Sequence, residues 1–181
     1  MRVIGGEFRS RRLKTLPGLA LRPTPDLLRE ALFSVLASNP SVTPVEGHTF
    51  LDAYAGCGAV GIEALSRGAA RAIFLEKNGA AVRVIRQNLA SLDLEARATV
   101  AHGAAVSLLP RHPADIVFLD PPYPLEREYA ASMNLLGAAP PKLVLVQHSK
   151  HFHPEPAYGK LRRIRMLVHS DNVVSFYTPQ T

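Results

Sequence analysis

The sequence predicts an α/β fold built on a doubly wound, mostly parallel sheet, and three observations predict it. Five apolar runs, near residues 48–53, 71–76, 97–101, 114–119 and 142–148, alternate with helical stretches near 59–67, 78–91, 104–109 and 126–137. The first run passes through a glycine turn, Gly56-x-Gly58-x-x-Gly61, straight into a helix. The fourth, Ala114 to Leu119, stops at Asp120-Pro121-Pro122-Tyr123, where two prolines fix φ and withhold two N–H donors, so the chain must leave the sheet.

The elements follow in order. Residues 1–22 read as a β-rich arm, with strands at Arg2-Val3-Ile4 and Phe8–Leu13 broken at Gly5-Gly6. The arm is too short for a core of its own. Arg22-Pro23-Thr24-Pro25-Asp26 is held extended by its prolines, and Thr24 or Asp26 is suited to cap a helix from Leu27 to about Ala37. Leu28, Ala31, Leu32, Val35 and Leu36 give that helix an apolar stripe, with Arg29 and Glu30 on other faces. Residues 39–47 are a loop, so the expected division is an appendage, 1–47, and a main domain, 48–181. In the second helix of the main domain, Val82, Ile85 and Leu89 line the buried stripe. Two further strand-like runs, Leu161–His169 and Asn172–Tyr177, meet at Ser170-Asp171 and predict an antiparallel hairpin at one sheet edge.

A chain of 181 residues with 47% hydrophobic and 20% charged residues can bury a substantial core, and this composition excludes a disordered protein. One cysteine excludes an internal disulfide and fits a reducing compartment. No segment approaches membrane-span length, and the basic, polar N-terminus lacks the apolar stretch of a secretory signal, so the reading is cytoplasmic with no membrane partner. The net charge of +6 is uneven: residues 1–22 carry +5, residues 23–149 carry −2 and residues 150–181 carry +3. Basic ends around a mildly acidic middle favour a polyanion, most simply nucleic acid. His148, His151 and His153 are irregularly spaced, and no Cys or acid completes a set, so no metal is expected. Cys57 reads as a small turn residue.

The glycine turn lets a ligand approach the backbone, and the helix after it offers N–H groups and a partial positive charge. Asp52 stands at the strand tip ahead of the glycines. A carboxylate there repels phosphate but pairs with an ammonium. A ligand carrying both an ammonium and a carboxylate, such as the methionine part of S-adenosylmethionine, satisfies Asp52 and the helix end together. Glu76, ending the second strand, is placed to accept from ribose hydroxyls. At the fourth strand's tip, a carboxylate, backbone carbonyls and an aromatic ring suit a planar group bearing an NH₂, such as a nucleobase amine.

The run Asp52-Ala-Tyr54-Ala-Gly56-Cys-Gly58-Ala-Val-Gly61, with Glu76-Lys77 and Asp120-Pro121-Pro122-Tyr123, resembles the class I S-adenosylmethionine-dependent methyltransferases. Arg2-Val3-Ile4-Gly5-Gly6, Arg11-Arg12-Leu13, Leu21 to Asp26 and Arg29 to Phe33 narrow the resemblance to bacterial 16S rRNA (guanine-N2)-methyltransferases of the RsmD type. It is clear from residue 1 to about 148 and faint over the C-terminal hairpin. It implies a Rossmann-like methyltransferase sheet, S-adenosylmethionine as cofactor, and 16S rRNA in the small ribosomal subunit as partner, acted on by a monomer. The implied cofactor residues are Asp52, Tyr54, Gly56, Gly58, Glu76, Lys77, Gly103, Ala104 and Asp120. The implied catalytic residues are Asp120, Pro121, Pro122 and Tyr123, the acceptors holding the amine hydrogens and the ring stacking on the base. Arg9, Arg11, Arg12 and Lys14 are expected to grip phosphates, with Arg22 and Arg29 nearer the site.

The chain departs from the family pattern at four positions. Cys57 stands for a usual Ser, Gly103 for an Asp or Asn, Leu27 for an Arg and Gln147 for a Glu. The same tetrapeptide also serves DNA adenine-N6 or cytosine-N4 and protein-glutamine methyltransferases. The basic N-terminal block argues for RNA, and 181 residues leave little room for a DNA target-recognition domain. A non-catalytic RNA-binding module would have no need of Asp52, Glu76 and Asp120 together. A nicotinamide dehydrogenase is separated by a binding titration with each cofactor.

Overall fold

The computed structural model describes residues 1–18, 24–122 and 125–181. Its centre is one eight-stranded sheet. The strands are β1 (Thr49–Asp52), β2 (Arg71–Glu76), β3 (Ala98–His102), β4 (Ile116–Leu119), β5 (Leu143–Ser149), β6 (Ala157–Tyr158), β7 (Leu161–His169) and β8 (Asn172–Pro179). Their order is β3-β2-β1-β4-β5-β8-β7-β6. The first five are parallel, and β8, β7 and β6 add antiparallel pairs at one edge. The α/β, doubly wound reading and the C-terminal hairpin are both present. The two-residue β6 was not foreseen.

Helices α1 (Asp26–Ser38), α2 (Ala59–Ser66), α3 (Gly79–Ser91), α4 (Ala105–Leu108) and α5 (Glu126–Ala138) cover the two faces. Strand periodicity sorts the side chains between them. Phe50, Phe74 and Phe118 enter the core beside α1, α2 and α3, while Leu51, Leu75, Val117 and Leu119 enter the core beside α5. Gly61 is where α2 crosses closest to the sheet: a Cβ there would stand 2.3 Å from Phe74 Cε1.

The described part of residues 1–47 packs into the main core. Val3, Leu13, Leu28, Leu32, Phe33, Leu36, Val42 and Val45 share one core with Phe50 and Ile62. The expected strands of the arm reduce to a single bridge, Arg2 with Arg12. Val3 N and Leu13 N bond across the arm to Arg11 O and Met1 O, while three other backbone donors go to side chains of α2. Glu63 accepts from Ile4 N at 2.9 Å and Gly5 N at 2.8 Å, and Ser66 Oγ accepts from Phe8 N at 2.9 Å.

Neither Thr24 nor Asp26 caps α1, whose N-cap is Pro25. Asp26 pairs with Arg29 at 3.0 Å, and the Thr24 hydroxyl donates to Gln147 Oε1 at 3.1 Å. Arg29 itself corrects an expectation. It is fully buried, not presented to RNA. Its Nη2 donates to Arg2 O at 2.7 Å, and its Nε lies 3.7 Å from the equally buried Glu63 carboxylate. Arg67 donates to the other Glu63 oxygen at 2.8 Å. A buried arginine facing a buried glutamate is tolerated only while both are present.

Glu63→Gln keeps the side-chain volume and removes the charge opposite Arg29. It is expected to cost about 3–5 kcal/mol in denaturant unfolding; a loss below about 1 kcal/mol would mean that the arm is not held this way.

Candidate active site

The site lies where the parallel strands end. Strand β1 is flanked by β2 and β4, with Asp52 level with Phe74 on one side and Phe118 on the other. The chain order reverses here, and such a switch point opens a crevice at the strands' carboxyl ends. Asp52, Glu76 and Asp120 are all delivered to that edge.

A cleft of about 580 Å³ is bordered by Asp52, Tyr54, Gly56 and Asp120 on the sheet side and by Thr15, Leu16, Thr24 and Asp26 on the arm side. A second, of about 300 Å³, is bordered by Glu76, Lys77, Asp120, Pro121, Pro122, Tyr129 and Gln147. A small one of about 90 Å³ lies between Tyr54, Glu76, Lys77, Gly103 and Ala104. Tyr54 borders all three, and its hydroxyl is held by Glu128 and Ser132, each at 2.9 Å. Burial pushes the Tyr54 phenol pKa up. The predicted cofactor residues therefore come together around one ring, except Gly58. That glycine works from below, as the N-cap of α2 at φ 86°.

The carboxylates are individually tied. Asp52 is 2% exposed and accepts from Gly61 N at 3.2 Å, so it also satisfies a donor in the first turn of α2. Loss of water raises its pKa to about 7, with the neighbouring negative charge of Glu76 adding to the rise and the Gly61 N–H opposing it. Glu76 accepts from Gly56 N and from Asn78 N, both at 2.8 Å. Glu76 thus fixes the glycine loop as well as facing the cavities, and each oxygen keeps a second lone pair for a ligand. Burial pushes the Cys57 thiol pKa up, which suits a turn residue and not a nucleophile.

Asp120 borders both larger cavities, beside Pro121 and Pro122. Tyr123 and Arg22 fall outside the described residues. Arg9, Arg11, Arg12 and Lys14 are exposed along the arm, and Arg11 Nη2 reaches Ser91 O at 3.0 Å. The sequence reading missed two buried amides. Asn88 bonds both backbone groups of Lys14, at 2.7 and 3.0 Å, and Cys57 O at 3.0 Å, which ties the arm to the glycine loop. Gln147 accepts from the Thr24 hydroxyl, which ties β5 to the segment leading into α1. Asn88 had a signal: it lies i+3 from Ile85, within the apolar stripe of α3.

Sheet order, glycine turn after β1, acid ending β2 and Asp-Pro-Pro after β4 define a class I methyltransferase fold. The solved structure of yhhF from Escherichia coli superposes with a TM-score of 0.80 at 33% identity, covering 100% of this chain and 98% of that one. A family model described as conserved hypothetical protein 95 matches residues 1–178, and the chain belongs to that family, the RsmD family. Ribosomal RNA small subunit methyltransferase D of Escherichia coli is 42% identical over 125 residues, 68% of this chain and 60% of that protein. The protein of the same name from Haemophilus influenzae is 37% identical over 128 residues, 68% of this chain and 64% of that protein. These matches span less than two thirds of either relative's length.

Because the Asp52 pKa is raised above that of the unfolded chain, its stabilising contribution is fully present below pH 3.8 and is lost as pH rises through about 7. Asp52→Asn should therefore flatten the fall in melting temperature between pH 5 and 8 in the ligand-free protein. Parallel wild-type and variant curves would remove Asp52 from that dependence.

Proposed function

We propose that the chain transfers a methyl group from S-adenosylmethionine to the exocyclic N2 amine of a guanine in 16S rRNA, acting on the small ribosomal subunit. The observation that carries this reading is the position of Asp120. It borders the cleft that holds Asp52 and Gly56 and also the cavity that holds Pro122 and Gln147, so it stands between a cofactor side and a substrate side.

On the cofactor side, Asp52 takes the ammonium, Glu76 takes ribose hydroxyls with its remaining lone pairs, and Gly103 and Ala104 border the adenine. S-adenosylmethionine supplies an electrophilic methyl group on sulfonium. On the substrate side, the chain has to make a poor nucleophile react, because the lone pair of guanine N2 is delocalised into the ring. The Asp120 carboxylate and the Pro121 carbonyl each accept one amine hydrogen and turn the lone pair out of the ring plane. That lone pair forms the new N–C bond as the C–S bond breaks, with its electrons staying on sulfur. The nitrogen becomes acidic as it alkylates, and its surplus proton passes to Asp120. The gain is in orientation and electrostatics. Tyr123 stacks on the base, which must first leave its own stack. Arg9, Arg11, Arg12, Lys14 and Arg22 grip the RNA backbone; Arg29 is withdrawn from that set by its burial.

The assay is transfer of labelled methyl to small subunits lacking guanine-N2 methylation, with naked 16S rRNA and duplex DNA in parallel. Label recovered as N2-methylguanosine from the subunit supports the reading, and label in DNA alone contradicts it. Asp120→Ala should abolish turnover while the cofactor dissociation constant stays within about twofold; retained turnover would exclude Asp120 from the mechanism. Arg9→Glu with Arg12→Glu should raise KM for the subunit. The pair should also lower the slope of log affinity against log salt by about 1–2. An unchanged slope would make the arm a solvated face.

A further inference from the structure

The small cleft at the tips of β2 and β3 has one side-chain acceptor to spare. Of the side chains that border it, only Tyr54, Glu76, Lys77 and Glu128 are polar. Glu76 pairs in register with His102, so Gly103 and Ala104 follow directly beside it. Glu76 is committed: its two oxygens hold Gly56 N and Asn78 N, and its remaining lone pairs serve the ribose. Gly103 brings no acceptor. Its N–H is spent on Glu76 O at 3.0 Å, and a Cβ there would stand 3.1 Å from Leu108 Cδ1. Ala104 brings only a methyl group, and Lys77 is a donor. Glu128 is left. It lies in the first turn of α5 and is partly buried. Its Oε2 accepts from Tyr54 OH at 2.9 Å. With that proton committed, the Ser132 hydroxyl donates to the Tyr54 oxygen, also at 2.9 Å. The carboxylate is thus anchored at one oxygen, while Oε1 takes no bond from a described residue.

We propose that Glu128 selects adenine in the methyl donor, its carboxylate accepting from the six-amine of the base; this rests on the S-adenosylmethionine reading above. With the ribose held at Glu76, the base continues past Lys77 onto Gly103 and Ala104, into the cleft that Tyr54 and Glu128 close from the other side. An amine donating to a carboxylate makes a charge-assisted bond. The Tyr54 anchor gives that bond a fixed direction, which a freely rotating surface acid would not have. A base with hydrogen in place of the amine leaves the acceptor unmet, which is how a hydrogen-bonding site rejects an analogue. An acid in the first turn of a helix also offsets the charge of the helix end. That role draws no distinction between bases, so the two are separable.

The test is calorimetric titration of the full chain with S-adenosylhomocysteine and with its purine counterpart, which carries hydrogen at position six of the base. Wild type should bind the adenine ligand about tenfold or more tightly than the purine ligand. Glu128→Met should lose about that factor for adenine and little for purine, so that the ratio of the two affinities falls to about one. Glu128→Ala carries the same expectation and covers the case in which the methionine variant folds poorly. A helix-end or packing role would weaken both ligands alike and leave the ratio at its wild-type value. That result in either folded variant would overturn the proposal. So would a wild type that binds the two ligands equally, and in that case the cofactor reading would still stand. If wild type binds neither ligand, the cofactor reading fails first, and this inference with it.

Discussion

Asp52 ends the central strand as a carboxylate almost closed off from water, with a single Gly61 N–H to offset its lost hydration. Its position follows from the sheet. Strand β1 has parallel partners on both sides, so its last residue is covered laterally, and the glycine turn closes above it. Glu76 is brought alongside by β2 and spends both oxygens holding the glycine loop and the start of α3. The loop is therefore shaped by the same acids that border the clefts. Burial raises the Asp52 pKa to about 7, with the Gly61 N–H opposing the rise and the Glu76 charge adding to it, so the carboxylate form of Asp52 is held at a cost that a cation in the cleft would offset.

A second buried charge system joins the arm to this frame. Glu63 lies in the first-face core, where its oxygens take two backbone N–H groups of the arm and face Arg29 and Arg67. Asn88 makes the matching connection from α3, bonding Lys14 and Cys57 at once. The wall of the larger cleft formed by Thr15 and Leu16 is thereby fixed to the glycine loop, so the basic arm and the strand-tip cleft belong to one packed unit.

The strands and helices of the parallel half were legible because their side chains alternate or repeat without interruption. The acids at the strand tips were legible because each sits where an apolar run ends. The arm was misread for a physical reason. Its apolar residues carry strand-like spacing, but Gly5-Gly6 turns the chain early, and the N–H groups of Ile4, Gly5 and Phe8 are taken by Glu63 and Ser66, which lie far off in sequence. The helical pattern places Arg29 outside because a charge on an amphipathic helix is usually solvated. Two signals opposed that: Arg29, Leu32, Phe33 and Leu36 also follow helical spacing, and Glu63 is an unexplained acid in the otherwise apolar α2. Gln147 is paired with Thr24, 123 residues earlier in the chain, a contact that no local pattern announces.

The central claim is that the strand-tip carboxylates form a site for a methyl donor bearing an ammonium group. Its most direct test is the affinity for S-adenosylmethionine, measured by calorimetric titration between pH 5.5 and 7. The cation should bind the ionised form of Asp52, so affinity should rise about tenfold over that range in wild type and stay flat in Asp52→Asn. A wild-type affinity that does not change with pH, or a variant that keeps the same rise, would contradict an ammonium at Asp52.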